Sequence, residues 1–331
     1  MPGIVAEVTR DGRVESVHRG HVAVVTPAGE VVATLGDLET PTYMRSAAKP
    51  VQAMPLIESG AVEAFCFTDR KLAVIMASHS GEQFHLDAVR SIQKKAGLEV
   101  GDLQCGFHLP LHEASAQAHI QENKEKSPLY NNCSGKHSGM LALAKYRGWP
   151  LATYLQPDHP VQKSIREKVA QFSGLPEAET KTGVDGCGAP VFYLPVKNMA
   201  LMYARIAEGT LSQSGRVFDV MSANPDMVAG AGRLDTAMMH ALNGRLLSKV
   251  GAEGIRCVGV RGATRTLGIA LKIEDGSARV SGVVMLEVLA QLGLISEVEL
   301  SGLEEFRRPV LHNCSGRKIG EIRAVFEIAA G

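Results

Sequence analysis

Alternating hydrophobic and polar residues at the start of the chain predict antiparallel β structure. Ile4–Thr9 and Val14–His18 flank Asp11-Gly12, a pair that favours a tight hairpin turn. Similar short apolar runs, each bounded by turn-forming residues, predict the further strands Val22–Val25, Val31–Thr34, Arg256–Val260, Thr266–Ile273 and Lys318–Ile328. Strands are therefore expected near both ends of the chain.

Between these strands, apolar residues recur three and four positions apart, which predicts amphipathic helices. Val161, Ile165, Val169 and Phe172 show this spacing most clearly. The predicted helices are Glu82–Lys95, Glu113–Lys124, Ser138–Arg147, Val161–Phe172, Val196–Glu208 and Val284–Leu292, with a helix pair from Arg216 to Lys249 that is interrupted at Ala229-Gly230-Ala231-Gly232.

The order of strands, many helices and then strands indicates the α+β class and not the alternating pattern of a parallel sheet. The simplest topology pairs the N-terminal and C-terminal strands in one antiparallel sheet and packs the helices around it. No linker or change of composition marks a boundary, so residues 1–331 are expected to form a single domain. Within it we expect a sheet lobe at about 1–45 and 250–331 and a helical lobe at about 46–249.

Composition narrows the class of protein. Lys and Arg number 35, as do Asp and Glu, and this balance argues against a nucleic-acid-binding protein. No run of 18 apolar residues predicts a membrane span, and no secretory signal is recognised at the start. The six cysteines are therefore expected to be reduced thiols in the cytoplasm.

Ser46 and Lys49 form a Ser-x-x-Lys pair, in which positions i and i+3 share one helix face. Pro50 places this pair at a helix start, where free backbone N–H groups favour an oxyanion or alkoxide. A serine needs a base to become nucleophilic, and lysine serves once its pKa falls by about 3 units from about 10.4. The alternative interpretation makes Ser46 a helix cap and Lys49 a solvated side chain.

A second polar group, Ser78-His79-Ser80, follows the apolar run Leu72–Ala77. A buried element that ends in this way delivers polar side chains to a cleft. The alternative is that Ser78 or Ser80 caps the helix predicted at Glu82–Lys95.

Cys133 and Lys136 lie three residues apart, and Cys187 lies in the turn-rich segment Gly183–Pro190. Two thiolates suit zinc, which normally takes four ligands, so His137 or a neutral Lys136 would contribute together with water. The alternative is that both cysteines are ordinary buried thiols.

Taken together, these motifs resemble the class 3 L-asparaginases, the Ser-Lys family of the Rhizobium etli inducible type. The resembling segments lie in order over roughly residues 15–280 and include Arg45-Ser46-Ala47-Ala48-Lys49-Pro50, Ala77-Ser78-His79-Ser80, Asn132-Cys133-Ser134-Gly135-Lys136-His137, Asp158-His159-Pro160, Asp185-Gly186-Cys187, Met227-Val228-Ala229-Gly230, Lys249-Val250-Gly251-Ala252 and Leu267–Gly276.

The resemblance implies a fold like that of serine β-lactamases and glutaminases, a homodimer, and hydrolysis of L-asparagine to L-aspartate and ammonia. It implies two Ser-Lys tandems at Ser46/Lys49 and Ser78/Lys249, of which Ser46 is favoured as nucleophile without excluding Ser78. It also implies a zinc site at Cys133, Lys136 and Cys187, and substrate contacts from Arg45, His137 and Asp185. The alternatives are a glutaminase or other small-amide hydrolase of the same fold, and a non-enzymatic metal-binding protein.

Overall fold

The computed structural model describes residues 1–331. In chain order, its strands are Gly3–Arg10 (β1), Arg13–Val25 (β2), Val31–Leu35 (β3), Pro41–Tyr43 (β4), Lys181–Val184 (β5), Pro190–Pro195 (β6), Leu246–Val250 (β7), Ile255–Arg261 (β8), Thr266–Ile273 (β9), Val310–His312 (β10), Lys318–Ala324 (β11) and Ala329–Ala330 (β12).

The α-helices are Lys49–Gln52 (α1), Met54–Glu58 (α2), Ala61–Ala64 (α3), Asp69–Ile75 (α4), Gln83–Ala96 (α5), Glu113–Gln121 (α6), Ser134–Arg147 (α7), Pro160–Ser173 (α8), Val196–Glu208 (α9), Ser214–Ala223 (α10), Pro225–Val228 (α11), Leu234–Ala241 (α12), Ala278–Gln291 (α13), Glu297–Ser301 (α14) and Glu304–Arg307 (α15). Short 3-10 turns cover Arg45–Ala48, Val100–Asp102, Pro128–Tyr130 and Glu177–Glu179.

The chain divides into two compact units. The first comprises Met1–Ala47, Leu194–Glu208 and Ala237–Gly331, and the second comprises Ala48–Tyr193 and Gly209–Thr236. The first carries the large sheet, and the second carries most of the helices. The sequence placed α9 and β7 in a helical lobe, whereas the structure places both in the first unit.

The first unit is built on a nine-stranded sheet whose main path runs β10-β11-β1-β2-β9-β8-β7, with β3 lying between β2 and β12. β1 pairs with β2 and with β11, so Ala6 lies opposite Ala324 near the other end of the chain. Every pair along this path is antiparallel. The predicted α+β class, with terminal strands joined in one antiparallel sheet, is confirmed.

The first hairpin forms where its turn residues predict it. Asp11 and Gly12 connect β1 to β2 with φ angles of 47° and 79°. Glycine reaches this left-handed region without strain and aspartate tolerates it, which is why the pair favours such turns. The β1–β2 register ends at Arg10 opposite Arg13, directly beside the turn.

Helix α9 packs closely against the sheet because two of the strand positions beneath it are glycines. Gly259 on β8 and Gly268 on β9 are paired across the sheet. A Cβ at Gly268 would stand 1.9 Å from the carbonyl oxygen of Ala200, and one at Gly259 would stand 2.7 Å from that of Tyr203. The absent side chains therefore let the helix backbone approach the sheet.

In the second unit, apolar spacing produces the expected helices. Helix α8 buries Val161, Ile165, Val169 and Phe172, as their spacing predicts. Its start is capped by His159, whose side chain accepts the Val161 N–H. Helix α7 begins at Ser134, four residues before the predicted start, and buries a continuous stretch from Ser134 to Ala144.

The predicted helix pair from Arg216 to Lys249 is wrong at its C-terminal end. Residues 246–250 form β7, which pairs with β8 and is almost wholly buried. A short apolar run that is buried on both faces has no period that separates helix from strand, which explains the error. Lys249 is therefore a strand residue.

Candidate active site

The segment that follows α4 carries Ser78 into the interior of the second unit. Gly135 and Gly139 of α7 lie against α4, where a Cβ at Gly135 would stand 2.1 Å from the carbonyl oxygen of Val74. Beyond α4, the Ser78 N–H donates to the carbonyl of Val228 at 3.1 Å. Ser78 is only 4% exposed. Close helix packing and this backbone bond fix the position of the serine.

Lys49 lies at the start of α1, directly after the 3-10 turn Arg45–Ala48, with Pro50 in the first helical turn. Its Nζ donates to the Ala77 carbonyl at 2.6 Å, to Ser78 Oγ at 3.0 Å and to the Asn132 carbonyl at 3.3 Å. The side chain is 1% exposed. The alternative of a solvated Lys49 is therefore wrong, and a buried amine touches a buried serine.

Burial lowers the pKa of Lys49, and the nearby charge of Lys136 lowers it further, whereas Cys133 raises it. The net direction is downward, because taking an ammonium out of water disfavours the charged form. A lysine with a lowered pKa is the kind of base that a serine nucleophile needs.

The serines at 78 and 80 do not cap α5. The residue at its N-cap is Glu82, which makes no side-chain capping bond, so the capping alternative is wrong. Ser80 Oγ instead donates to the Ala229 carbonyl at 2.7 Å and accepts from Arg233 at 3.1 Å. Hydrogen bonds therefore hold residues 78–80 against the backbone of residues 228–229.

Cys133, Lys136 and Cys187 come together at the start of α7. Cys133 is the N-cap of this helix and Lys136 lies in its first turn, so both project from one end. Cys187 is presented by the tight turn between β5 and β6, which the Gly188 N–H closes on the Asp185 carbonyl at 2.8 Å. Lys136 Nζ donates to Cys187 Sγ at 3.1 Å, and the two thiols are hydrogen-bonded to each other.

The thiols have opposite pKa shifts. The hydrogen bond from Cys187 lowers the pKa of Cys133 well below its usual range, and the charges of Lys49 and Lys136 act in the same direction. The same bond, together with burial, raises the pKa of Cys187. Negative charge is therefore favoured on Cys133 over Cys187.

The donor set fits zinc by its chemistry. The two buried sulfurs match the ligand preference of this metal, and the buried amine of Lys136 would be an additional nitrogen ligand. No group of three or more His, Cys, Asp or Glu side chains is arranged to hold a metal ion. Although burial lowers the pKa of Lys136, the neighbouring thiols raise it overall, so zinc would have to displace the proton of Lys136 before this amine could serve as a ligand.

His137 follows Lys136 on α7 and is fully buried. Its Nδ1 lies 2.6 Å from the hydroxyl of Tyr154, which also accepts the Gln104 N–H at 3.0 Å. Burial holds the pKa of His137 well below its usual range, and the charges of Lys136 and Lys49 lower it further. The ring is therefore neutral.

Asp185 is half-buried in the turn that carries Cys187. Its Oδ1 accepts the Gly186 N–H at 2.9 Å, and its Oδ2 lies 3.8 Å from Cys187 Sγ. The second unit thus brings together Lys49, Ser78, Cys133, Lys136, His137, Asp185 and Cys187.

Arg45, Ser46 and Lys249 belong to the first unit. Arg45 and Ser46 are half-buried in the 3-10 turn, where Arg45 has a φ of 52°. Lys249 is fully buried on β7, and its Nζ donates to the Val250 carbonyl at 2.9 Å. The catalytic and substrate-binding roles of these residues remain predictions.

Sequence reasoning missed three residues that contact this cluster or its flanks. The Asn132 carbonyl accepts from Lys49, the Tyr154 hydroxyl holds His137, and Arg233 holds Ser80. A backbone carbonyl carries no residue-type signal, and neither Tyr154 nor Arg233 belongs to a spacing pattern that indicates chemistry.

The family model described as L-asparaginase II matches residues 6–324, which is nearly the whole chain. Comparison with curated proteins gives no significant match. None of the helices is both long enough and apolar enough to cross a membrane.

Solved structures of three proteins are similar to this chain over 84% of its length. A β-lactamase from Sphaerobacter thermophilus is 14% identical, with 93% of that chain covered and a TM-score of 0.44. A Bacillus glutaminase is 14% identical, with 92% covered and a TM-score of 0.36. The protein Mglu is 15% identical, with 61% covered and a TM-score of 0.37.

Proposed function

Because the chain belongs to the L-asparaginase II family, we propose that it hydrolyses L-asparagine to L-aspartate and ammonia through a lysine-activated serine. Membership of this family makes it an amide hydrolase. The observation that carries the mechanism is the contact of 3.0 Å between Lys49 Nζ and Ser78 Oγ, both buried. This contact supports Ser78 as the nucleophile, whereas the sequence favoured Ser46.

In the first half of the reaction, neutral Lys49 takes the proton of the Ser78 hydroxyl as Oγ attacks the side-chain amide carbon. The tetrahedral intermediate collapses when its C–N bond breaks. Lys49 returns the proton to the departing nitrogen, which leaves as ammonia. The product of this half is an ester between Ser78 and the β-carboxyl of aspartate.

In the second half, water attacks the ester carbon and gives its proton to Lys49. The C–O bond to Ser78 breaks, Ser78 Oγ recovers the proton, and aspartate is released. In the metal-free protein the charge of Lys136 beside Lys49 assists both halves, since it favours the neutral amine.

We assign substrate contacts to Arg45, His137 and Asp185. The guanidinium of Arg45 suits a carboxylate, and the carboxylate of Asp185 suits the substrate ammonium. Ser46 and Lys249 complete the proposed catalytic set as the members of the two tandems that the family resemblance implies.

Zinc is proposed at Cys133, Lys136 and Cys187. When bound, the metal supplies a fixed positive charge that shapes the substrate pocket. Cys133 and Cys187 would hold it as thiolates, and Lys136 as a neutral amine after losing its proton. Ser78 and Lys49 perform the acyl transfer without it.

The deciding experiment measures ammonia released by the purified, zinc-supplied protein from L-asparagine and, in parallel, from L-glutamine. We expect release from asparagine to be much the faster. Faster release from glutamine would make the protein a glutaminase, and no release from either by the folded protein would move the search to other amides.

Replacing the reacting groups tests the mechanism. Lys49→Met and Ser78→Ala should each lower kcat at least about a thousandfold, because the base or the nucleophile is gone. Lys94→Met on the exposed end of α5 and Ser164→Ala on α8 are matched controls that should keep full activity.

Mass spectrometry of protein quenched during turnover locates the acyl group. An ester on the peptide containing Ser78 supports the assignment. An ester on Ser46 would overturn it while leaving the asparaginase reaction in place.

A further inference from the structure

The hydroxyl of Tyr154 has two partners, and together they fix the direction of its proton. The Gln104 backbone N–H donates to it at 3.0 Å, and His137 Nδ1 lies 2.6 Å away. A tyrosine hydroxyl has a single proton, and the Gln104 N–H cannot accept it. A proton pointing away from Nδ1 would have no acceptor among the partners of this hydroxyl, so the hydroxyl donates to Nδ1.

This bond decides which nitrogen of His137 carries hydrogen. A neutral imidazole holds one proton, so an accepting Nδ1 leaves that proton on Nε2. Nε2 is buried and has no hydrogen-bond partner in the protein. A buried N–H without an acceptor is unfavourable, and a ligand oxygen would remove that cost.

The surroundings of Nε2 select the charge of that ligand atom. Lys136 directly precedes His137 on α7 and is buried, so a positive charge lies beside the ring whether Lys136 is protonated or holds zinc. An N–H donor beside that positive charge attracts an anionic oxygen and repels an ammonium group.

We propose that Tyr154 is a positioning residue that holds His137 in the Nε2–H tautomer, so that the ring donates to a carboxylate oxygen of the substrate. The tautomer follows from the hydrogen bonds alone, whereas the substrate carboxylate rests on the proposed function. In this role His137 is neither a general base nor a metal ligand, because Nε2 already carries its proton.

The tautomer is measured by nitrogen-15 NMR of the histidine rings in the free, unmodified protein. We expect the His137 signals to show an unprotonated Nδ1 and a protonated Nε2. A proton on Nδ1 would overturn the proposal. The wild-type chain is sufficient for this measurement, so the result does not depend on whether a variant folds.

Steady-state kinetics of Tyr154→Phe test the consequence. Without the hydroxyl, Nδ1 loses its donor and the ring is free to exchange tautomers, so KM for asparagine should rise about tenfold (about 1.4 kcal/mol) while kcat stays within about twofold. A fall in kcat at unchanged KM would place Nε2 at the reacting amide and overturn the carboxylate assignment. Tyr146→Phe, which changes an exposed tyrosine, is the control.

A double-mutant cycle separates positioning from packing. The side-chain amide of His137→Gln places a donor near the position of Nε2 whatever Tyr154 does. Tyr154→Phe should therefore add little to KM in the His137→Gln background, and an equal additional loss would overturn the positioning role.

If asparagine is not hydrolysed, the proposed function fails, but both parts of this proposal are still decided. The NMR measurement reports the tautomer. Titration with L-aspartate, followed at the Nε2 proton of His137, reports whether a carboxylate binds there. If that signal does not shift at saturating aspartate, the carboxylate assignment is overturned.

Discussion

At the scale of single residues, sequence patterns identify members of the site but not their partners. The Ser-x-x-Lys spacing singles out Lys49, yet the serine that Lys49 touches lies 29 residues away at Ser78. Cys133 and Lys136 are visible because one helical turn separates them, whereas Cys187 joins them only through the turn between β5 and β6. Spacing describes one element at a time, so contacts between elements escape it.

The buried environment of His85 makes the free energy of unfolding depend on pH. Its ring donates from Nε2 to the Asp226 carbonyl at 2.9 Å, and it packs against Glu82, Phe84 and His79. Burial, with the charges of Arg70 and Arg233, lowers its pKa to about 4 from 6.5. Below pH 6.5 His85 becomes protonated in the unfolded chain but stays neutral in the native state until the pH approaches 4. About 3 kcal/mol of stability is therefore lost as the pH falls to about 4.

Denaturant unfolding at pH 7 and pH 4.5 checks this value. His85→Gln keeps a donor for the Asp226 carbonyl but does not titrate. Between pH 7 and pH 4.5 the free energy of unfolding of this variant should therefore fall less than that of the wild type. A difference between the two proteins that is the same at both pH values would contradict the expectation. His312→Gln, at an exposed histidine, should follow the wild type.

At the scale of elements, the helices with clear apolar spacing were predicted most closely. Helix α9 spans the predicted Val196–Glu208, and α5 differs from its predicted bounds by one residue at each end. The failure at β7 has the opposite cause, since an apolar run of five residues is too short to show a period. The early start of α7 was missed because Ser134, Gly135 and Lys136 resemble a polar loop.

The contact between α9 and the sheet gives an element-scale prediction. Gly268→Ala would force a methyl group to within 1.9 Å of the Ala200 carbonyl oxygen, so the helix must move away from the strand. We expect the free energy of unfolding to fall by about 3 kcal/mol, at the upper end for overpacked interiors.

The matched control is Gly101→Ala, where the added methyl group would meet nothing within 4 Å. It should change stability by less than about 0.5 kcal/mol. Equal effects of the two substitutions in urea unfolding would show that α9 does not approach the sheet so closely.

At the scale of the whole molecule, metal binding should act on global stability. A ligand that binds only the native state stabilises it, so zinc at a hundred times its Kd should add about 2.7 kcal/mol and raise Tm by about 4 °C. Cys187→Ser should abolish this rise, while Cys314→Ser, at an exposed thiol, should keep it.

Activity after chelation shows what the metal does. Because the proposed acyl transfer uses Ser78 and Lys49, zinc removal should raise KM and leave most of kcat. Loss of kcat that only zinc restores would show that the metal takes part in the chemistry. Scanning calorimetry with and without the chelator reports the thermal shift in the same samples.

The overall architecture was predictable because its terminal strands are amphipathic and its middle is helical. The division of the chain into its two units was not predictable, because α9 lies within a helical stretch of sequence yet packs on the sheet. Membership of a sheet-bearing unit is decided by long-range packing, which local periodicity does not record.

The pairing of β1 with β11 has a consequence for synthesis of the chain. Ala6 cannot pair until Ala324 has been synthesised, and at about 5–20 residues per second roughly 16–64 s separate the synthesis of these two residues. During that interval the β1–β2 hairpin has an open edge, which invites pairing with other nascent chains. The yield of folded enzyme should therefore depend more on how well chaperones shield the nascent N-terminal hairpin than on how fast the helices form.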